Sequence, residues 1–194
     1  MMKKLNLIPL LAISFLLYLP SCNDNSPDPD VIQLLINSSV EAGNQQPNKW
    51  WVGPGGSHQT SWTNGHSFTG EKSLLISSDN DVGEFTYWYQ SVGEDIPIGR
   101  RLRLSSMIKL DNVDPNSDGV SIAVRGDDKD QQSVFFYTTQ GDVPIRGNAD
   151  WEKYSIEMKS NIPDEVTRMW VFLILLDNTQ GKVYFDDITL ETIN

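Results

Sequence analysis

The chain has 194 residues, with 26 Asp and Glu against 15 Lys and Arg and a formal charge of −11. A surface this acidic repels phosphate backbones, so nucleic acid is not expected among its partners. Its single cysteine, Cys22, excludes a disulfide within the chain, so stability must come from an apolar core and any bound ion.

The N-terminus carries an address. Lys3 and Lys4 precede an apolar run from Leu5 to Leu19, and Leu19-Pro20-Ser21-Cys22 ends it. A positive end, an apolar stretch and a small residue before the cysteine read as a secretory signal peptide. The run is short of the ~20 apolar residues a spanning helix needs. The same order resembles the lipobox of bacterial lipoproteins. That resemblance implies cleavage before Cys22, its lipidation, and anchorage to a bacterial membrane, the outer membrane being expected, facing the periplasm or the surface. The alternative is an uncleaved transmembrane anchor with a free thiol. Removing residues 1–21 leaves 173 residues and takes away Lys3 and Lys4, for a formal charge of −13. A lipid anchor tolerates that charge, because acyl chains bind through buried CH₂ groups.

Residues 22–30 follow as lipidated cysteine and tether. Their run of Asn, Asp, Ser and Pro lacks the apolar content to pack. An acidic tether at this place resembles the surface-export signal of some Gram-negative lipoproteins; a plain spacer is the other reading. Residues 31–194 then fit one domain.

From Val31 on, short alternating or apolar runs are broken by Gly, Pro, Asn and Asp, the punctuation of an all-β domain. Strands are expected near 32–40 and 73–77. In 85–92, Phe85, Tyr87 and Tyr89 share one face, while Thr86, Trp88, Gln90 and Val92 share the other. Trp88 is expected inside and the tyrosines outside. In 101–110, Leu102, Leu104, Ser106, Ile108 and Leu110 oppose Arg101, Arg103, Ser105, Met107 and Lys109. Val120, Ile122 and Val124 alternate with Ser121, Ala123 and Arg125, and a strand near 133–138 follows. Tyr154, Ile156 and Met158 alternate with Lys153, Ser155 and Glu157. Residues 169–176 are apolar on both faces and should form a central strand. A last strand covers 182–190. Nine or ten strands without a long helical period predict a two-sheet antiparallel β-sandwich or jelly roll.

Within the closing strand, Val183 and Phe185 have one parity and Ile188 and Leu190 the other. Both pairs can be buried only if a β-bulge at Asp186-Asp187 adds a residue. Such a bulge re-aims one carboxylate.

Several segments, in order, carry a resemblance. They are Asn37-Ser38-Ser39-Val40-Glu41-Ala42-Gly43, a tryptophan pair, and Ser67-Phe68-Thr69-Gly70-Glu71-Lys72-Ser73-Leu74-Leu75-Ile76. Gln90-Ser91-Val92, Ile98-Gly99-Arg100-Arg101-Leu102, Asp150-Trp151-Glu152-Lys153-Tyr154 and Gly181-Lys182-Val183-Tyr184-Phe185-Asp186-Asp187-Ile188-Thr189-Leu190 follow. This order resembles the galactose-binding-like jelly rolls, including carbohydrate-binding modules appended to glycan-degrading enzymes. The resemblance implies a structural calcium held by Glu41 and Asp187 with backbone carbonyls, in keeping with calcium's demand for six to eight oxygens. The other reading is that Asp186 and Asp187 solvate a strand end.

Other motifs carry less. Asp114-Pro115-Asn116-Ser117-Asp118-Gly119 begins like an EF-hand loop, but Arg125 stands where the bidentate Glu belongs, so a polar turn is expected. Arg125-Gly126-Asp127 matches a tripeptide of adhesion ligands, and Asp127, Asp128 and Asp130 are expected at a solvated loop tip. His58 and His66 lie in a Gly/Ser/Thr/Asn-rich stretch with no close Cys or carboxylate to complete a zinc set; solvated loop histidines are expected. No G-x-S-x-G elbow occurs.

Sugars bind by stacking C–H faces on Trp or Tyr while a few polar groups fix their hydroxyls. Tyr87, Tyr89, Arg125 and Tyr137 are expected on exposed strand faces, with Trp50, Trp51 and Trp62 in loops that wall one end. The same rings could instead fill the core. The expected function is non-catalytic carbohydrate binding by a membrane-anchored lipoprotein, with poly- or oligosaccharide as partner. The first alternative is a module that packs against an envelope protein; the second is a glycan hydrolase or lyase, for which no motif pairs two carboxylates across a cleft.

Overall fold

The computed structural model describes residues 31–54, 58–79 and 84–193. The expected signal peptide, Cys22 and the expected tether lie outside them. Ten strands are formed: β1 Trp51–Val52, β2 Gln59–Asn64, β3 Lys72–Ser78, β4 Thr86–Ser91, β5 Arg101–Val113, β6 Val120–Asp127, β7 Ser133–Thr138, β8 Gly147–Glu157, β9 Arg168–Leu175 and β10 Gly181–Ile193. They make two five-stranded sheets, in the orders β1-β4-β9-β6-β7 and β2-β3-β10-β5-β8. Every strand pairing is antiparallel. The all-β, two-sheet jelly roll expected from the alternation is the observed architecture.

Period-2 alternation decides what each strand buries. Leu102, Leu104, Ile108 and Leu110 of β5 face inward, together with Leu74, Ile76, Val183 and Phe185 of its sheet. Across the sandwich they meet Trp88, Ile122, Val124, Val171 and Leu173. Full burial of each such side chain is worth roughly 1.5–3 kcal/mol. Trp88 also spans the layers, its Nε1 donating to the Leu75 carbonyl at 3.1 Å.

The closing strand contains the expected bulge. The β10–β5 register shifts between Asp186 and Thr189, and Asp187 takes a left-handed φ of 44°. That extra residue lets Phe185 and Ile188 both face the core, each fully buried.

Several expectations fail on the first hundred residues. Trp50, expected to wall one end from a loop, is buried in the core with its Nε1 donating to the Asn37 carbonyl at 3.1 Å, and Trp51 lies in β1. Residues 32–40 form no strand. They run beside the distal half of β10 with one isolated bridge, Gln33 to Glu191. The Gln33 side-chain carbonyl accepts from Leu35 and Leu190, and Asn37 and Val40 adopt positive φ, so a regular ladder is broken. Conversely, the supposed loop around Trp62 is the edge strand β2, paired with β3. His58, just before it, is buried rather than solvated. Burial lowers its pKa, an effect partly offset by Asp177.

β9 is central, between β4 and β6, as its two apolar faces predict. Met169, Val171, Leu173 and Leu175 fill the core. Trp170, Phe172 and Ile174 lie on the opposite face and are only half-buried.

Candidate functional site

Among the described residues nothing packs over the outer face of the β1-β4-β9-β6-β7 sheet, and that face is aromatic. Register places Trp51 beside Tyr89, Tyr89 beside Phe172, and Trp170 beside Arg125. Tyr89 has its ring 6.0 Å from Trp51, 5.9 Å from Trp170 and 5.9 Å from Tyr87. Tyr87 stands edge-on to Phe172 at 5.5 Å and stacks on Phe85 at 5.7 Å. Directly opposed antiparallel residues share a face, which is why rings from three strands gather into one surface.

Gly53 makes room for this cluster. Its N–H donates to the Tyr87 carbonyl at 2.9 Å, and a Cβ there would run into the Tyr87 ring.

The polar component comes from β6. Arg125 Nε donates to Asp127 Oδ1 at 2.5 Å. Asp127 is therefore not the solvated loop residue expected: it is buried and held by its neighbour two positions back. A cavity of about 330 Å³ is lined by Tyr87, Tyr89, Trp170, Phe172, Arg125 and Asp127, with Pro54 and Gln131 at its edge. A second, of about 410 Å³, shares Tyr87, Arg125 and Phe172 and adds Phe85, Phe136, Ile174 and Leu176 among its walls. The two are halves of one groove.

Of the residues expected at a ligand site, Tyr87, Tyr89 and Arg125 come together here. Tyr137 does not. It pairs with core-facing Val124 and packs against the core, its hydroxyl 3.0 Å from Ser160 Oγ. Phe136 pairs with Arg125 and occupies the groove side, 53% exposed. The run Phe135-Phe136-Tyr137 is aromatic on both faces, so sequence alternation gives no direction; the register against β6 does.

Trp62 lies on the other sheet. Its Nε1 donates to the Val40 carbonyl at 2.8 Å and the Lys72 ammonium sits 4.4 Å above its ring. Trp170, Phe172 and Phe136 line the same groove, though the sequence does not single them out. The doubly apolar pattern of 169–176 was the available signal for the first two: a central strand whose second face has no covering layer must present it.

The expected metal residues lie at the opposite sheet. Glu41 Oε1 accepts from the N–H groups of Glu71, at 3.1 Å, and Lys72, at 2.8 Å. Thr69 Oγ1 donates to Asp187 Oδ1 at 2.8 Å. The carboxylate that the bulge buries is that of Asp186, which accepts from Phe68, Thr69 and Asp187 N–H at 2.7, 3.0 and 2.7 Å. Burial pushes its pKa up to about 6, against those three donors, which favour the charged form. Three carboxylates thus fasten the 66–72 loop over the sheet. Among the described residues no group of three or more His, Cys, Asp and Glu side chains is arranged to hold a metal. Beside this loop a shallow concavity of about 620 Å³ is lined by Asn64, His66, Glu71, Lys109 and Trp151, among others.

No family model matches the chain. A curated relative, the uncharacterized HTH-type transcriptional regulator YbfP of Bacillus subtilis (strain 168), is 28% identical over 123 residues, which is 63% of this chain and 38% of the regulator. The chain thus spans well under half of that relative's length. Among solved structures, TmCBM61 in complex with β-1,4-galactotriose superposes with a TM-score of 0.51 at 18% identity, covering 82% of this chain and 97% of that one. A CBM4 structure gives 0.55 at 16% identity over 81% of this chain and 99% of its own. A Stig cyclase from Fischerella sp. TAU, bound to (3Z)-3-(1-methyl-2-pyrrolidinylidene)-3H-indole, gives 0.60 at 12% identity over 84% of this chain and 98% of its own. At these identities the likeness is one of fold. The domain has the jelly-roll fold of carbohydrate-binding modules, a fold shared with cyclases.

Proposed function

We propose that this chain binds carbohydrate without cleaving it, through the aromatic groove of the β1-β4-β9-β6-β7 sheet, and that Cys22 anchors it to a bacterial membrane. The observation that carries the reading is the juxtaposition of the ring cluster Trp51, Tyr89, Tyr87 and Trp170 with the Arg125–Asp127 pair. Rings offer flat apolar surface to sugar C–H faces. The ion pair offers preorganised donors and an acceptor to hydroxyls. The solved complex of TmCBM61 with β-1,4-galactotriose, on the same fold, adds support.

The non-catalytic part of the reading rests on the acids. Glycoside hydrolysis uses two carboxyl groups flanking the scissile bond. Asp127 is the carboxylate among the described groove-lining residues, and it is engaged by Arg125. The test is retention in affinity gels containing galactan, xylan or mixed-linkage glucan, with reducing ends assayed alongside. Retention without new reducing ends is expected, and Tyr89→Ala and Trp170→Ala should abolish it. Release of reducing ends that Asp127→Asn stops would make the protein an enzyme.

We further propose a structural calcium near the 66–72 loop. The donor set suits a hard cation: Glu41 and Asp187 both reach this loop, and their hydrogen bonds fall on Oε1 and Oδ1 respectively. Glu41 and Asp187 would hold the ion with carbonyl oxygens. It would tie the N-terminal segment, the loop and β10 together.

A further inference from the structure

The two halves of the groove differ in what they can satisfy. The half at Tyr89 and Trp170 holds the Arg125–Asp127 pair and Gln131. The half at Phe85 and Phe136 is walled by those two rings, Phe172, Ile174 and Leu176. On the same face β6 carries small residues beside these walls. Ala123 lies between Phe172 and Thr138, and Ser121 lies beside Ile174.

The hydroxyls beneath this half are already taken. Ser121 Oγ is 2.7 Å from Thr138 Oγ1 and 3.1 Å from Thr139 Oγ1, and Ser133 Oγ donates to the Phe135 carbonyl at 3.3 Å. Gln140, with Arg125 and the Tyr87 hydroxyl on the wall shared with the first half, is its remaining polar lining. A bare pyranose placed here would bury several hydroxyls with too few partners, and each unsatisfied one would keep its desolvation cost without a hydrogen bond in return. An apolar group loses nothing by entering. Phe85 and Phe136, both slightly more than half exposed, would be covered by it.

We propose that the groove binds an amphipathic glycoside, with the sugar over Tyr89 and Trp170 at the Arg125–Asp127 pair and an aromatic or aliphatic aglycone between Phe85 and Phe136. This rests on the carbohydrate reading of the first half and specifies its ligand class. The halves share Tyr87, Arg125 and Phe172, so one small molecule spans both. Their volumes, about 330 and 410 Å³, each lie in the range of small-molecule pockets.

The experiment titrates the protein with methyl and phenyl β-glycosides of galactose, glucose and xylose, and with phenol alone, following tryptophan fluorescence and amide NMR shifts. Phenyl glycosides of at least one sugar should bind about tenfold more tightly than the methyl counterparts. Phe136→Ser and Ile174→Ser should each remove that gain, weakening the phenyl glycosides about tenfold more than the methyl ones, while Tyr89→Ala weakens both alike. Equal binding of methyl and phenyl forms would overturn the aglycone assignment and leave the sugar site standing. So would a phenyl advantage that survives both variants. Phenol binding as tightly as the phenyl glycosides, or no binding by any probe, would overturn the sugar site and this proposal with it. A dimer in solution that Phe136→Ser dissolves would assign the face to a second copy of the chain instead.

Discussion

Arg125 and Asp127 stand two residues apart on β6 and are joined by a 2.5 Å bond from Nε to Oδ1. Alternation puts them on the same side of the strand, so a local pair fixes a guanidinium at the junction of the two groove halves.

Removing the acid tests that role. Asp127→Asn keeps the volume and an acceptor but not the charge, so the guanidinium loses its fixed direction. Affinity for whichever polysaccharide the protein retains should fall about tenfold, or ~1.4 kcal/mol, as read by isothermal titration calorimetry. Circular dichroism should remain that of the parent. An unchanged dissociation constant would remove the pair from the binding site.

Opposite faces of β4 should respond differently. Trp88 is 5% exposed and lies in the core cluster. Trp88→Ala should lower unfolding free energy by roughly 3–5 kcal/mol in urea titrations. Tyr89→Ala, on the groove face, should lose binding while its urea midpoint stays close to the parent's.

Gly53 supplies a test of the groove's shape. Gly53→Val should displace the Tyr87 ring, because even a Cβ would overlap it. Binding should weaken by about tenfold or more, on the order of 1.4 kcal/mol, and the melting temperature should fall as well, because Gly53 is buried against that ring. Unchanged binding would mean that Tyr87 does not contact the ligand.

His58 gives stability a pH dependence of known sign. Its folded-state pKa lies below the ordinary 6.5, chiefly through burial, with Asp177 opposing. As pH falls below about 6.5, the unfolded chain takes a proton that the folded one resists, so stability is lost on acidification. His58→Phe lacks that group. The melting-temperature difference, parent minus variant, should therefore shrink between pH 7.5 and pH 5. A constant or widening difference would contradict the burial of a neutral imidazole.

Calcium binding predicts a chelator response. An ion that binds only the folded state stabilises it by RT ln(1 + [L]/Kd), about 2.7 kcal/mol at a hundredfold excess over Kd. Chelation should lower the melting temperature of the calcium-loaded protein. Glu41→Gln and Asp187→Asn should each lower it without chelator and abolish the response. No shift on chelation would count against the ion.

The sequence alone determined the class of fold and the inside of most strands. The reason is that alternation over β5, β6 and the start of β4 is regular, and that each such strand is read against its own neighbours. The bulge at Asp186-Asp187 was legible for the same reason, since a parity break between Phe185 and Ile188 has few remedies. Only the tertiary structure decided where faces meet. Phe136 rather than Tyr137 joins Arg125 because the β6–β7 register pairs them, and nothing within an aromatic run announces its register. The structure also put Trp62 on the other sheet and drew Asp127 out of the loop to pair with Arg125. It placed Trp170 and Phe172 on the outer face of their sheet, beside Arg125 and Tyr89. A binding groove is made by residues from strands far apart in sequence, and cross-strand pairing, absent from any one segment, brings them together.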